Sequence, residues 1–109
     1  MIHVTIFRSM NQITAFEISG HADSGPYGYD LVCAGVSAVS FGAVNAVLAL
    51  CEIELDITQG DEGGYLHVAF PEDLELQVLE KAQLLFEGMI VSLKTIADEY
   101  SQFVTINDK

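Results

Sequence analysis

The amino-acid sequence predicts a two-layer α+β sandwich in which both helices pack on one face of a single sheet. Four short segments alternate apolar and polar residues, which is typical of strands with one buried face. Two longer segments have the length of helices, and the second repeats apolar residues at helical spacing. A chain of 109 residues suffices for one hydrophobic core but not for two, so residues 1–109 are expected to form a single domain.

The first two segments predict a hairpin. Apolar positions alternate along the first of them, with Ile2, Val4 and Ile6 between His3, Thr5 and Phe7. A polar turn over residues 9–12 leads into a second run over residues 13–19. Residues 20–30 then form the only long irregular segment, since three glycines and a proline oppose regular structure there.

The first helix is predicted to begin after Asp30, which stands at the position of an N-cap, and to run to about Leu50. Apolar residues surround this segment, whereas a helix of a two-layer domain normally leaves one face in water. We therefore expect its surplus apolar surface to form a homodimer interface.

The second half of the chain repeats the pattern of two strands and a helix. Residues 53–57 and 66–70 alternate as strands, and the glycine-rich residues 59–64 between them predict a turn. Pro71 is expected to open the second helix, with Glu72 and Asp73 close to the positive end of its dipole. Helical spacing continues to Tyr100, and residues 103–106 predict a short last strand.

Charge and hydropathy exclude several classes of function. Sixteen acidic and four basic residues give a formal charge of −12, which repels the phosphates of nucleic acid, so no direct nucleic-acid binding is expected. Such a surface favours solubility, or attracts a basic peptide or protein. The most apolar run, residues 31–51, is interrupted by glycine, serine and asparagine, unlike a membrane span of roughly 20 apolar residues. With no secretory leader in evidence, we expect a cytoplasmic protein with reduced thiols and no membrane contact.

Cys33 and His21 form a candidate nucleophile and base. If Asp30 is the cap, Cys33 lies in the first helical turn, where backbone N–H groups and the helix dipole favour a thiolate. His21 begins the irregular segment that returns to Cys33, so the ends of two regular elements hold imidazole and sulfur within reach. Taken singly, each has an ordinary explanation, Cys33 as a small buried side chain and His21 as a solvated one.

The residues around this pair resemble a known family. Gly20-His21-Ala22, a glycine-rich stretch and then Asp-Leu-Val-Cys-Ala-Gly-Val-Ser-Ala over residues 30–38 resemble the ribosomal-processing cysteine proteases, or Prp. The resemblance implies a cysteine endopeptidase that removes the N-terminal extension of a basic large-subunit ribosomal protein, after a hydrophobic, phenylalanine-rich sequence, in support of ribosome assembly. It also implies a dyad of His21 and Cys33, a homodimer, and a loop between the two residues that moves on substrate binding.

Further candidates lie near the dyad. Two roles are open to Asp30, capping the helix or orienting His21, and capping is the simpler of them. Ser37 lies one turn beyond Cys33 and either contacts substrate or hydrogen-bonds a helical carbonyl. The predicted mobile loop, a lid for a substrate pocket, includes Ala22, Gly25, Pro26, Tyr27, Gly28 and Tyr29.

The other cysteine and histidines are predicted to have no catalytic role. Cys51 is at the far end of the helix, where the dipole opposes a thiolate, and strand alternation places His3 and His67 opposite the main apolar residues. A zinc site built from His21, Cys33 and Cys51 is rejected, because the two cysteines are about five helical turns apart. No metal or other cofactor is expected.

Two other classes of function compete with a peptidase. A non-catalytic acidic module that binds a basic ribosomal protein explains the charge equally well, but its function would survive Cys33→Ala. A redox sensor would use the same reactive thiol, but Cys51 is too remote on the same helix to act as its resolving cysteine.

Overall fold

The computed structural model describes residues 1–21, 30–60 and 63–109, within which the chain forms five strands and two helices. The strands are β1 (Ile2–Ser9), β2 (Gln12–Ser19), β3 (Asp56–Gln59), β4 (Tyr65–Ala69) and β5 (Val104–Asp108), and the helices are α1 (Leu31–Leu50) and α2 (Leu76–Glu99). The order β1-β2-α1-β3-β4-α2-β5 confirms the predicted α+β arrangement, including the short last strand. β3 is shorter than predicted, since it begins at Asp56 and not at Ile53.

The strands form one sheet in the order β3-β4-β2-β1-β5. Neighbouring strands are antiparallel except β1 and β5, which run parallel. Val4 lies opposite Ile18, and Phe16 lies opposite Val68, so these four side chains share one face of the sheet. β2 is therefore paired on both sides, with β1 and with β4, up to its last residue, Ser19, two residues before His21.

Both helices cover the apolar face of this sheet, as the alternation of the strands predicts. Every element except β3 contributes buried apolar side chains: Ile2, Val4, Ile6, Ile13, Phe16, Ile18, Val32, Val36, Val44, Val47, Leu66, Val68, Ala82, Phe86, Met89, Ile90, Leu93 and Val104. At the centre, Phe86 of α2 makes edge-to-face contacts with Phe16 and Phe70, with ring centroids 5.2 and 5.5 Å apart. These contacts fix α2 over the middle of the sheet.

α1 begins and ends where the sequence predicts. It buries one stripe against the core, formed by Val32, Val36, Ser40, Val44 and Val47. By length and composition alone, α1 is long and apolar enough to cross a membrane, so its glycine and polar residues do not by themselves exclude a span. Its buried stripe packs into the core and α1 packs against α2, with 28% of its most apolar window buried.

The second helix begins later than Pro71 leads one to expect. α2 starts at Leu76, and no acidic side chain lies in its first turn, so Glu72 and Asp73 do not interact with its dipole as predicted. The cause is local, because Asp73 adopts a φ of 64° in the left-handed region, where a right-handed helix cannot continue.

Arg8 joins three elements at the far end of β1, next to an irregularity in the pairing of β1 with β2. Its guanidinium is bidentate to Glu87 of α2, at 2.7 and 2.8 Å, and to Asp108 of β5, at 2.6 and 3.0 Å. These hydrogen bonds hold the pKa of both carboxyls below their ordinary values, against the opposite effect of partial burial. The cluster thus clamps α2 and the parallel strand β5 to β1.

We expect Arg8→Met to lower the free energy of unfolding at pH 7 by about 1–2 kcal/mol, because two carboxylates then face each other without a cation. We keep this expected loss small because the Glu87 side chain is 42% exposed, so solvent screens its interaction with Arg8. Because the folded-state pKa values are lowered, this stabilisation is present above about pH 4 and is lost as the pH falls through them.

Urea unfolding of both proteins at pH 7 and near pH 3 measures this effect. Lys81→Met removes the same charge from an exposed position of α2 and serves as the matched control. Equal losses of stability in the two variants at pH 7 would show that the clamp does not stabilise the fold.

Candidate active site

A cleft of about 210 Å³ lies where β2 ends and α1 begins. Three parts of the chain line it: α1 (Cys33, Val36, Ser37, Ser40, Phe41), the sheet with the end of β2 (Ile2, Ile18, Gly20, His21, Leu66) and the β3–β4 turn (Gln59, Gly60, Gly63, Gly64, Tyr65). The structure therefore brings three of the predicted site residues, His21, Cys33 and Ser37, to one cleft.

Cys33 is the third residue of α1 and is half-buried. Its backbone N–H donates to Oδ1 of Asp30 at 3.0 Å, and the N–H of Val32 donates to the same oxygen at 3.1 Å. The Asp30 side chain is thus the N-cap that the sequence predicts, and it fixes the turn that carries the thiol. The sulfur lies at the positive end of a 20-residue helix, a setting that favours thiolate chemistry.

Three backbone donors of this first turn, the N–H groups of Val32, Cys33 and Ala34, already have acceptors. Besides the two N–H groups bound by the Asp30 carboxylate, the N–H of Ala34 donates to the Asp30 carbonyl at 3.0 Å. While the cap is closed, these three N–H groups are not available to an oxyanion formed next to Cys33. The side-chain amide of Gln59, which also lines the cleft, is a hydrogen-bond donor of the required kind.

His21 lies two residues after the end of β2 and is held by backbone contacts. Gly20 has a φ of 94°, and a Cβ at this position would collide with the carbonyl oxygen of Met1, so glycine is required before the histidine. The amino group of Met1 donates to the His21 carbonyl at 2.7 Å, and the Gly20 N–H donates to the Gly64 carbonyl at 2.8 Å. His21 is exposed and lines the cleft, and the backbone at Gly20 and His21 is held by Met1 and Gly64.

The remaining predicted site residues are only partly placed by the structure. Ser37 is exposed and lines the cleft one turn after Cys33, so a contact with substrate stays a prediction. The predicted mobile loop, residues 22–29, lies outside the described residues. Any orienting role of Asp30 toward His21 also stays a prediction beside its observed capping role.

Sequence reasoning missed several residues of the cleft, among them Ser40, Gln59 and Gly64. Ser40 is 2% exposed and donates to the Val36 carbonyl at 2.7 Å, so its hydroxyl is satisfied within the helix. Gln59 is the last residue of β3, and Gly64 belongs to the turn that follows, which its glycines predict. No local pattern indicates that this turn reaches His21, because the two segments are distant along the chain.

Cys51 and the other two histidines lie outside the cleft lining. Cys51 is the C-cap residue of α1, as its place in the sequence predicts. His3 is exposed, with its Nδ1 3.2 Å from Oγ1 of Thr105, and the half-buried His67 has its ring centroid 6.4 Å from that of Phe7. Within the part of the chain that the structure describes, no three His, Cys, Asp or Glu side chains are grouped to hold a metal ion.

The two roles of Asp30 are separable by substitution. Asparagine is as good a cap as aspartate, so we expect Asp30→Asn to keep both stability and peptide cleavage close to those of the unmodified protein. Asp30→Ala removes the cap and is expected to lower the free energy of unfolding by about 1 kcal/mol. Thermal unfolding and cleavage rates of the pair measure this. Loss of cleavage by a stably folded Asp30→Asn protein would show instead that the negative charge is needed.

The sequence of this chain is similar to those of proteins of a known family. The sequence model of the family described as Cysteine protease Prp matches residues 1–105. Ribosomal processing cysteine protease Prp of Bacillus subtilis is 54% identical over 101 residues, which cover 92% of this chain and 90% of that protein. Its namesake from Staphylococcus aureus is 42% identical over 98 residues, or 90% of this chain and 89% of that protein.

Solved structures agree with the sequence comparison. The crystal structure of an essential ribosomal processing protease Prp from Staphylococcus aureus, in complex with a covalently linked product peptide, matches with a TM-score of 0.90 at 41% identity. A second structure of that protease, in complex with a substrate peptide, matches with a TM-score of 0.84 at 40% identity. Both matches cover 100% of each chain.

Proposed function

Because the chain belongs to the Prp family of ribosomal processing cysteine proteases, we propose that its nucleophile is Cys33 and its general base His21. We propose further that it removes the N-terminal extension of a basic large-subunit ribosomal protein in the cytoplasm. One observation carries the assignment of the residues: a thiol at a helix N-terminus and an exposed imidazole line the same cleft.

In this mechanism His21 takes the thiol proton, and the Cys33 thiolate attacks the carbonyl carbon of the scissile peptide bond. When the tetrahedral intermediate collapses, the C–N bond breaks and His21 returns the proton to the departing amine. The acyl group then remains on Cys33 as a thioester. Water, deprotonated by the same imidazole, hydrolyses the thioester and restores the thiol, so the cycle needs neither a metal nor an oxidant.

The lining of the cleft and the net charge of the chain support a substrate that has a hydrophobic segment and is otherwise basic. The lining of the cleft includes four buried apolar residues, Ile2, Ile18, Val36 and Leu66, and the more exposed Phe41. A volume of about 210 Å³ accommodates one large apolar side chain of the substrate. The net charge of −12 over the whole chain attracts the basic chain of a ribosomal protein and speeds its association at low salt.

The test is direct cleavage of a synthetic peptide that spans the N-terminal extension and the first residues of the mature ribosomal protein, with products identified by mass spectrometry. We expect one cut, at the boundary of the extension, after a hydrophobic segment. A peptide of the same composition in scrambled order is the control. No cleavage of the native-order peptide by a folded protein, or equal cleavage of both, would overturn the proposed substrate.

The outward surface of α1 supports a homodimer as part of the same proposal. Leu31 is 80% exposed, and the small residues Ala34 and Ala38, which lie on the same side of the helix, are exposed as well, which allows a second helix to approach closely. We expect sedimentation to show a dimer at tens of micromolar, and Ala38→Glu to shift the protein to monomer by burying a charge in the interface. Ser92→Glu, exposed on α2, is the matched control. A monomer at this concentration would contradict the dimer.

A further inference from the structure

The imidazole of His21 lies directly against the backbone of the β3–β4 turn. A Cβ placed at Gly64 would be 2.6 Å from Nε2 of His21, 3.1 Å from Cε1 and 3.3 Å from Cδ2. Carbon and nitrogen atoms normally pack at about 3.5 Å, so no side chain fits between the turn and the ring. The same glycine accepts the hydrogen bond from Gly20, the residue before the histidine, at 2.8 Å.

We propose that Gly64 is a positioning residue that sets the place of the His21 imidazole in the cleft. The carbonyl of Gly64 holds the backbone next to the histidine, and the bare Cα of Gly64 leaves the space that the ring occupies. Gly64 of the β3–β4 turn thereby limits how far the imidazole can move in its direction. This inference rests on the proposed role of His21 as general base.

An alanine at this position has to displace the ring. To relieve a contact of 2.6 Å, the imidazole or the turn must move by about 1 Å. A displacement of this size at a reacting group costs on the order of 10²-fold in rate. The fold itself depends less on the site, because the ring is exposed and has solvent to move into.

Gly63 is a matched control next to it in the chain. Its φ of 75° nearly equals the 76° of Gly64, so alanine meets the same backbone strain at both positions. A Cβ at Gly63, however, meets no described atom within 4 Å. The comparison of Gly64→Ala with Gly63→Ala therefore isolates the contact with the imidazole from the cost of a left-handed backbone.

The experiment measures peptide cleavage and the pH dependence of Cys33 alkylation by iodoacetamide in the two glycine variants, His21→Ala and the unmodified protein. Alkylation is located by peptide mapping, and the small reagent reports on the imidazole without filling the peptide site. We expect Gly64→Ala to lose on the order of 10²-fold in kcat/KM and to show the alkylation profile of His21→Ala. Gly63→Ala is expected to retain the profile of the unmodified protein.

A double-mutant cycle in thermal stability keeps the proposal testable if Gly64→Ala proves too unstable to assay. We expect Gly64→Ala to lower Tm by about 5 °C more than Gly63→Ala does, and the excess to vanish in the His21→Ala background, where the ring is gone. Equal cleavage and equal Tm for the two glycine variants would overturn the positioning role while leaving His21 as the base. Full cleavage by His21→Ala would instead overturn the base and the positioning role together.

Discussion

Cys33→Ala is expected to abolish peptide cleavage while the protein stays folded. In the proposed mechanism the Cys33 sulfur is the only protein atom that bonds to the substrate carbonyl carbon, and the methyl group of alanine is not a nucleophile. Cys33 is half-buried, and its backbone N–H, which binds the Asp30 carboxylate, is retained in alanine. We therefore expect a loss of unfolding free energy no larger than about 1 kcal/mol, typical of a single substitution. Cleavage rates and urea unfolding measure the two effects.

Cys51→Ala is the matched control for this variant. Cys51 is also half-buried and belongs to the same helix, but it lies at the C-terminal end, away from the cleft. The same atoms are removed, so an effect on stability is expected and an effect on cleavage is not. Product formed by Cys33→Ala above the level of the uncatalysed reaction would contradict the assignment of the nucleophile.

His21→Ala is expected to lower kcat by at least about 10²-fold with a smaller effect on KM. Without the imidazole, the thiol loses its proton acceptor and the departing amine loses its proton donor. The exposed ring makes little contribution to the core, so stability should be nearly unchanged. Steady-state kinetics with the peptide substrate measures kcat and KM separately.

His3→Ala is the control, because His3 is also exposed but lies on β1, outside the lining of the cleft. We expect its kinetics to match those of the unmodified protein. A rate for His21→Ala within a few-fold of the His3→Ala rate would remove the imidazole from the mechanism, since general base catalysis is worth roughly 10² or more.

Most of the fold follows from local patterns. Alternation identifies the strands because one face of the sheet is packed and the other is wet, and Asp30 marks the start of α1 because a short acidic side chain satisfies the first N–H groups. The start of α2 does not follow in this way. Proline at position 71 suits a helix start, but the left-handed backbone of Asp73 comes after it, and nothing in the local pattern indicates that conformation.

In the candidate site as well, some residues can be predicted from their neighbours in the sequence and others depend on contacts between distant segments. Local patterns predict Cys33 as the nucleophile from its position at a helix start, and His21 as the base because a glycine and the end of a strand precede it, and both roles stay predictions. The role that we propose for Gly64 has no such signature. It depends on a close approach between the β3–β4 turn and His21, which exists only once β4 has paired with β2.

The most direct test of the mechanism is to identify the atom that carries the acyl group. The protein is mixed with a peptide ending in the ester of the expected cleavage residue, quenched in acid and analysed intact and after digestion by mass spectrometry. We predict a transient mass increase equal to the acyl portion, located on the peptide that contains Cys33 and absent from Cys33→Ala. An acyl group on Cys51, or cleavage of the ester by Cys33→Ala at the rate of the unmodified protein, would contradict the assignment of Cys33 as the nucleophile.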